Sequence, residues 1–348
     1  MSTDQPTSEI IAANKGISAV IDCPDCPAFL DPAKDLAPHP KGSDGDSYYI
    51  VSYVEGEGHK FTVLFHLMLI VKAFGVPVAQ LAISVFDETT GHYFSEEMNK
   101  EWLNDTTVAP EGLDISMPGG RLSGTINRLT VEGRIENDSD HFDMKLSMNP
   151  RGHPLLNLVT GMIPFSDGID YEYSLPRMET TGELNIRGKK YAVAGWSWLD
   201  REWGRFGASK WTWMNIQLKN GVQISLWDEQ TDDSNPRSYV GGARRFATIL
   251  NPDGGLIVTA VLIEELDAWI SKNTDRTYAK RWRVTIPGRA DLTVKALKDG
   301  QEIVSKIGAH RVESKAKVEG TYESKPVDGV TTVEMYDLFP LFQALHAQ

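Results

Sequence analysis

From Tyr48 to Tyr336 the chain is a succession of short segments in which apolar and polar residues alternate, broken by turn residues and hardly ever by a helical interval. Tyr48–Val54 leads through Glu55-Gly56-Glu57-Gly58 into Lys60–Val71, a hairpin pattern, and Val78–Phe86 and His92–Phe94 follow. Leu113–Met117, Arg121–Asn127, Leu129–Ile135 and His141–Met148 are separated by Pro-Gly-Gly or Asn-Asp-Ser-Asp turns. The second half repeats the style, with Ser238–Leu250, Gly255–Ile263, Thr277–Ile286, Asp291–Leu297, Glu302–Ile307, Arg311–Tyr322 and Thr331–Tyr336. Spacing of this kind predicts an all-β antiparallel sandwich or barrel. Helix is expected only as a turn in the irregular arm of residues 1–45, over Glu264–Lys272, and as a short C-terminal helix in Phe339–Ala347.

The densest stretch is Gly195-Trp196-Ser197-Trp198-Leu199-Asp200-Arg201-Glu202-Trp203-Gly204, followed by Lys210-Trp211-Thr212-Trp213. Tryptophan has a large apolar body and one obligatory donor, so such a cluster makes a core seam or a pocket wall. Asp200, Arg201 and Glu202 lie inside it, where charge must be paired. A buried Asp–Arg ion pair at a domain junction is the plain structural expectation.

These residues also carry a resemblance. The run Gly195–Gly204 resembles the G-x-x-W-x-D-R-E-W-G signature of the family of carotenoid hydratases, kievitone hydratases and AttH-like proteins. Tyr171-Glu172-Tyr173-Ser174-Leu175-Pro176 is similar to its Y-Y-Y-S-x-P segment. Trp211-Thr212-Trp213 through Gln217-Leu218 is similar to its W-x-W-F-x-L-Q-L strand, and Val333-Glu334-Met335-Tyr336 to its closing strand. The resemblance implies two lipocalin-like β-barrels side by side, a form also used by fungal Diels–Alderases. The halves would be residues 1–204, arm included, and 205–348. Trp198, Asp200, Arg201, Glu202 and Trp203 are its structural signature.

Composition limits the partners. The net charge of −13 argues against nucleic acid or an anionic membrane surface. The start of the chain lacks a secretory signal pattern, and Phe61–Val71 and Val78–Phe86 are each too short to span a bilayer as a helix, so a cytoplasmic protein is expected. A hydrophobic small molecule is the expected partner; no oligomeric state is legible. Cys23 and Cys26 lack a thioredoxin-like βαβ context and further zinc ligands, and read as bystanders in the arm. No dinucleotide fingerprint, P-loop or nucleophile elbow occurs and the histidines are scattered, so neither cofactor nor metal is expected.

The hairpin around Asn220-Gly221 supplies the candidate site. A two-residue type I′ turn there would place Trp213 opposite Asp228, Asn215 opposite Leu226 and Gln217 opposite Ile224. One face would carry Trp211, Trp213, Asn215, Gln217 and Asp228, aromatic with a few placed polar groups, as in a pocket. An acid desolvated by tryptophan keeps its proton, which makes Asp228 the candidate general acid, with Trp213 and Asn215 beside it. The alternative is a strand end in solvent. Carotenoid hydratases of the resembling family carry H-x-W on such a strand; Trp211 stands in the place of that histidine. Tyr49, Tyr53, Tyr171, Tyr173 and His66 complete the expected binding residues, and the apolar loop Arg151–Asp170 reads as a lid or a packed connector. The expected function is cofactor-free cyclisation of a terpenoid or polyketide, pericyclic or acid-assisted. The alternatives are a hydratase or dehydratase using Asp228, and a non-catalytic carrier of hydrophobic ligands.

Overall fold

The structure is a computed structural model that describes residues 30–39, 43–70, 77–137, 140–165, 168–204, 209–231, 243–306 and 308–340. Cys23, Cys26 and nearly all of the C-terminal tail lie outside the described residues. The chain is all-β. Its first sheet is built from β1 (Gly45–Gly56), β2 (His59–Ile70), β3 (Val78–Asp87), β4 (His92–Glu101), β5 (Thr107–Val108), β6 (Leu113–Met117) and β7 (Gly120–Thr125). It continues through β8 (Arg128–Glu136), β9 (His141–Pro150), β10 (Leu155–Leu156), β11 (Met162–Phe165), β12 (Gly168–Ile186) and β13 (Lys189–Gly204). One helical turn, α1 (Trp102–Asp105), follows β4.

The second sheet holds β14 (Ser209–Leu218), β15 (Gln223–Thr231), β16 (Ala243–Leu250), β17 (Leu256–Ala260), β18 (Leu262–Ile270) and β19 (Thr277–Ile286). It ends with β20 (Ala290–Ala296), β21 (Glu302–Ile303), β22 (Arg311–Tyr322) and β23 (Lys325–Asp337). The strand paths are β4-β3-β2-β1-β13-β12-β9-β8-β7-β6-β5 and β17-β16-β15-β14-β23-β22-β20-β19-β18, with every pairing antiparallel. The architecture is lipocalin-like, two curled antiparallel sheets. Among the described residues no helix is long and apolar enough to cross a membrane.

Successive residues of a strand point to opposite faces, and each sheet uses both. The concave face of the first sheet is apolar, with Tyr48, Ile50, Phe61, Phe65, Leu67, Leu199 and Trp203 in one core. The second sheet has its own, including Met214, Ile216, Leu226, Trp282, Val312 and Ala316. A third cluster joins the opposite faces of the two sheets: Tyr49, Val51, Leu64 and Trp198 from the first meet Trp213, Trp227 and Leu250 from the second. Gly195 permits the close pairing of β1 with β13, since a Cβ there would stand 2.1 Å from the Tyr53 carbonyl oxygen.

Two sequence expectations are corrected here and one open alternative is decided. Glu264–Lys272 is not helical: Leu262–Ile270 is a strand that pairs with β19, its ladder interrupted by bulges around Asp267. The Arg151–Asp170 segment is a packed connector, because β10 and β11 both pair with β12 and bury Leu155 and Ile163. The other correction is the hairpin at Asn220-Gly221. Leu218 N donates to Val222 O at 2.9 Å and Gly221 N to Leu218 O at 3.0 Å, which makes a three-residue loop. Gly221 takes φ = 93° while Asn220 stays out of the left-handed region, so a type I′ turn is not formed. The register slips by one: Trp213 faces Trp227, Thr212 faces Asp228 and Asn215 faces Ser225.

The expected Asp–Arg pair also takes another form. Alternation along β13 sends Arg201 to the concave face and Asp200 and Glu202 to the other. Arg201 forms its ion pair with Asp46, both side chains fully buried. It also donates to Asp35 O (3.1 Å), Ala37 O (2.8 Å) and Glu202 O (2.8 Å), and lies 4.4 Å from the Tyr48 ring centroid and 4.6 Å from that of Trp203. One side chain thereby ties Asp35, Ala37 and Asp46 to the end of the first sheet. Removing one partner of a buried pair strands the other charge, at about 3–5 kcal/mol. Urea unfolding of Arg201→Met is expected to show a loss of about that size. A loss within that of an ordinary surface substitution would refute the tie.

Candidate functional site

The third cluster is where polar groups collect. On β1, Tyr49 and Tyr53 point into the seam between the sheets, and His66, opposite Tyr49 on β2, points with them. Asp200 is the partner of Tyr49 on the other side, and Ser174 of Asp200. From the second sheet, Trp211, Trp213 and Asn215 on β14 stand in register with Tyr336, Glu334 and Thr332. Next to these, β22 presents Arg311, Glu313 and Lys315. Two rows of polar side chains thus cover one another, and all of these groups except Trp211 and Tyr53 are fully or almost fully buried.

Hydrogen bonds across the seam hold the sheets together. Tyr49 Oη donates to Glu313 Oε2 at 2.7 Å. Tyr53 Oη reaches Asn215 Oδ1 at 3.0 Å and Thr332 Oγ1 at 2.8 Å, while the Thr332 amide donates to the same Asn215 oxygen at 2.6 Å. Ser305 Oγ donates to Glu97 Oε1 at 2.6 Å. The aromatic wall is continuous: Tyr49 lies edge-on to Trp213 at 5.3 Å and to His66 at 5.1 Å, and Trp198 edge-on to Trp213 at 6.3 Å.

At the centre stand His66, Glu313 and Glu334, whose ligand-type atoms lie within 4.8 Å of one another. Each is held from behind. His66 Nε2 is 2.8 Å from Ser47 Oγ, Tyr49 holds Glu313 Oε2, and Trp211 Nε1 donates to Glu334 Oε2 at 2.8 Å. The opposite atoms, His66 Nδ1, Glu313 Oε1 and Glu334 Oε1, have no hydrogen-bond partner. A histidine and two carboxylates in this arrangement match the ligand types of a divalent cation. A fixed cation is already present, however: Arg311 Nε lies 3.5 Å from Glu313 Oε1 and opposes a second positive charge there. Proton transfer suits the donor set better.

Burial decides the protonation. It pushes the Glu313 carboxyl well above the usual range, helped by the Glu334 charge and opposed by Arg311. It pushes His66 well down, and Arg311 adds to that, so the imidazole is neutral. Asp200 is likewise raised by burial, against the pull of Ser174 and of Trp198, whose Nε1 donates to Asp200 Oδ2 at 2.8 Å. Asp170, Glu172 and Glu202 complete an acidic group at this end, each raised first by burial and coupled to its neighbours. Lys315, its Nζ 3.3 Å from the Tyr53 ring centroid, is brought down to about 7 by burial.

Several sequence-predicted residues therefore meet in the seam: Trp211, Trp213, Asn215, Tyr49, Tyr53, His66, and the signature residues Trp198, Asp200 and Glu202. Gln217 shares their face farther along β14, opposite Gln223. Asp228 does not join them. The slipped register turns it to the concave face of the second sheet, where Arg245 Nε donates to its Oδ1 at 2.8 Å. There it lines a cavity of about 400 Å³ with Thr212, Arg276, Tyr278, Trp211 and Tyr336. Tyr171 and Tyr173 also fall outside, on the concave side of the first sheet: Tyr171 stacks on Trp203, and Tyr173 donates to Pro32 O at 3.1 Å. The sequence reading missed Arg311, Glu313, Lys315 and Glu334. Their signal was the alternation Arg311-x-Glu313-x-Lys315, which reads as a solvent face until a second sheet covers it.

The sequence pattern of AttH-like proteins matches residues 73–336, well over half of the chain. The chain belongs to the AttH-like family. A curated relative, dehydratase asqC of Emericella nidulans, is 26% identical over 230 residues, 62% of this chain. That match spans 65% of the relative's own length, just under two thirds. The fold resembles that of kievitone hydratase from Nectria haematococca, with a TM-score of 0.73, 21% identity, and 89% of this chain and 93% of the other covered. It also resembles an AttH-like protein from Nitrosomonas europaea, with a TM-score of 0.75, 20% identity, and coverage of 90% and 98%.

Burying acids in this AttH-like seam gives stability a sign with pH. Above about pH 4 the unfolded carboxyls have released protons that the raised folded groups still hold, so stability falls as pH rises. His66 acts oppositely, but only below about pH 6.5, where the unfolded imidazole gains a proton. Lys315, brought down to about 7 by burial, also acts oppositely, from about pH 7 upward, because the unfolded amine is still charged there. The contribution of Asp200 is therefore read as a difference: as pH rises from about 5, the Tm of wild type is expected to fall relative to that of Asp200→Asn, which cannot ionise. A difference that does not change with pH would show that Asp200 holds no extra proton.

Proposed function

We propose that this protein is an enzyme that adds water to, or removes it from, a hydrophobic small molecule by general acid–base catalysis in the seam between its sheets. The observation that carries this is that His66 and Glu313 bring ligand-type atoms within 4.8 Å of each other in a buried seam, where His66 Nδ1 and Glu313 Oε1 have no hydrogen-bond partner. In the tautomer whose Nε2–H donates to Ser47 Oγ, His66 offers Nδ1 as a base, while burial keeps a proton on Glu313 as an acid. In the dehydration direction Glu313 gives that proton to a departing hydroxyl as the C–O bond breaks. His66 takes a proton from the neighbouring carbon, and the electron pair left behind forms the double bond. Hydration is the reverse.

That the relatives include a dehydratase and a hydratase supports the reading. The cavity lined by Trp211 and Tyr336, whose side chains also border the seam, is the approach this reading assigns to the substrate. The aromatic wall of Tyr49, Trp198, Trp213 and Trp227 favours a second reading, acid-assisted cyclisation, because ring faces stabilise a developing carbocation. The same acid would then protonate an alkene, and an internal nucleophile would replace water.

Acid–base catalysis is typically worth a factor of about 10² to 10⁴. His66→Asn and Glu313→Gln should each lower kcat by that order, whereas Asp228→Asn, ion-paired on the other face, should stay within a few-fold. Oxygen from ¹⁸O-labelled water should enter the product of the hydration direction; its exclusion from an active reaction would select cyclisation. Full activity in both seam variants would sink the assignment.

A further inference from the structure

Two arginines among the described residues are wholly buried, and they are spent in opposite ways. Arg201 has its fork filled by backbone carbonyls and Asp46, between the rings of Tyr48 and Trp203. Arg311 is equally buried, yet its Nε, Nη1 and Nη2 have no hydrogen-bond acceptor. Glu313 stands 3.5 Å away, beyond good hydrogen-bond geometry, and the Tyr336 ring lies 5.3 Å from the guanidinium carbon. A buried guanidinium is expensive unless its donors are used, and its planar fork is suited to paired oxygen lone pairs.

The charges around it select the kind of oxygen. Glu313 faces it from its own strand, Glu334 and Tyr336 from β23, Glu97 and Tyr93 from β4, and His66 from β2. Glu97 accepts from Ser305 and from Asn99 Nδ2, and Glu334 from Trp211. Glu313 keeps its proton, but the Glu97 and Glu334 carboxyls already face one guanidinium, so a carboxylate or phosphate ligand would be repelled. A neutral acceptor that gains negative charge only during reaction fits, and that is a carbonyl oxygen.

We infer that Arg311 binds the carbonyl of the substrate, which is a hydrophobic β-hydroxy ketone in one direction and the corresponding enone in the other. This rests on the acid–base reading above and names its substrate class. His66 Nδ1 removes the proton from the carbon next to the carbonyl, and the electron pair moves onto the carbonyl oxygen as an enolate held by the Arg311 fork. The enolate collapses to a carbon–carbon double bond as the β-carbon–oxygen bond breaks, and the departing oxygen takes the Glu313 proton and leaves as water. Transfer of the proton from His66 to Glu313 restores the site.

The test uses two probes of matched shape, 4-phenyl-3-buten-2-one, an enone, and 1-phenyl-1-butene, which lacks the oxygen. Binding is read from quenching of tryptophan fluorescence, and carbonyl polarisation from the enone absorbance band. Wild type should prefer the enone by about tenfold or more, the scale of a hydrogen bond to a charged donor, and shift its band to the red. Arg311→Met should abolish both the preference and the shift while hydrocarbon affinity stays; Arg311→Lys, charged but without the fork, should keep part of each. Equal affinities in wild type would overturn the inference, with no variant needed, and so would a preference that survives Arg311→Met in a protein of normal circular dichroism. If neither probe binds, or Trp213→Ala leaves both affinities untouched, the seam is not the binding site and the underlying reading fails instead.

Discussion

The constraint on which this structure depends is the burial of both faces of the strands that meet at the seam, such as β1, β3, β14 and β23. An antiparallel sheet commonly packs one face on a core and leaves the other to water. Here the concave faces enclose apolar cores, and the opposite faces of the two sheets cover each other. Everything on those covered faces must find a partner inside the protein, hold a proton it would lose in water, or remain an unfilled donor or acceptor. All three outcomes occur. Tyr53, Asn215 and Thr332 satisfy one another; the acids around Asp200 are raised; His66 Nδ1 and the Arg311 fork stay open.

That contrast separates scaffold from chemistry. The Trp-rich signature looks like one unit in sequence, yet alternation along β13 divides it. Arg201 and Trp203 close the end of the first sheet and gather Asp35, Ala37 and Asp46 around a guanidinium whose donors are all used. Trp198, Asp200 and Glu202 face the seam. Alternate positions of one run therefore serve the fold and line the seam.

Alternation was legible throughout. The strand succession and the shared face of Trp211, Trp213, Asn215 and Gln217 follow from a side-chain period of two, which is local; the lipocalin-like form was implied by the resemblance that the signature carries. What local pattern left open was each point where one residue or one neighbour changes the answer. At Asn220-Gly221 two turn types compete within a three-residue stretch, and the choice of the longer loop moved Asp228 to the opposite face, because a slip of one inverts a strand. At Leu262–Ile270, bulges against β19 absorb an irregular pattern that reads as helical.

By itself, then, the sequence determined the class of fold, the strands, and which side chains travel together. It also held the residues of the seam in plain view, as His66 in an apolar strand and as Arg311-x-Glu313-x-Lys315. Only the tertiary structure decided that these rows face one another rather than solvent. The reason is physical: a polar row costs nothing in water and looks the same in sequence whether or not another sheet covers it, while desolvation and its consequences for charge exist only after two distant segments have met.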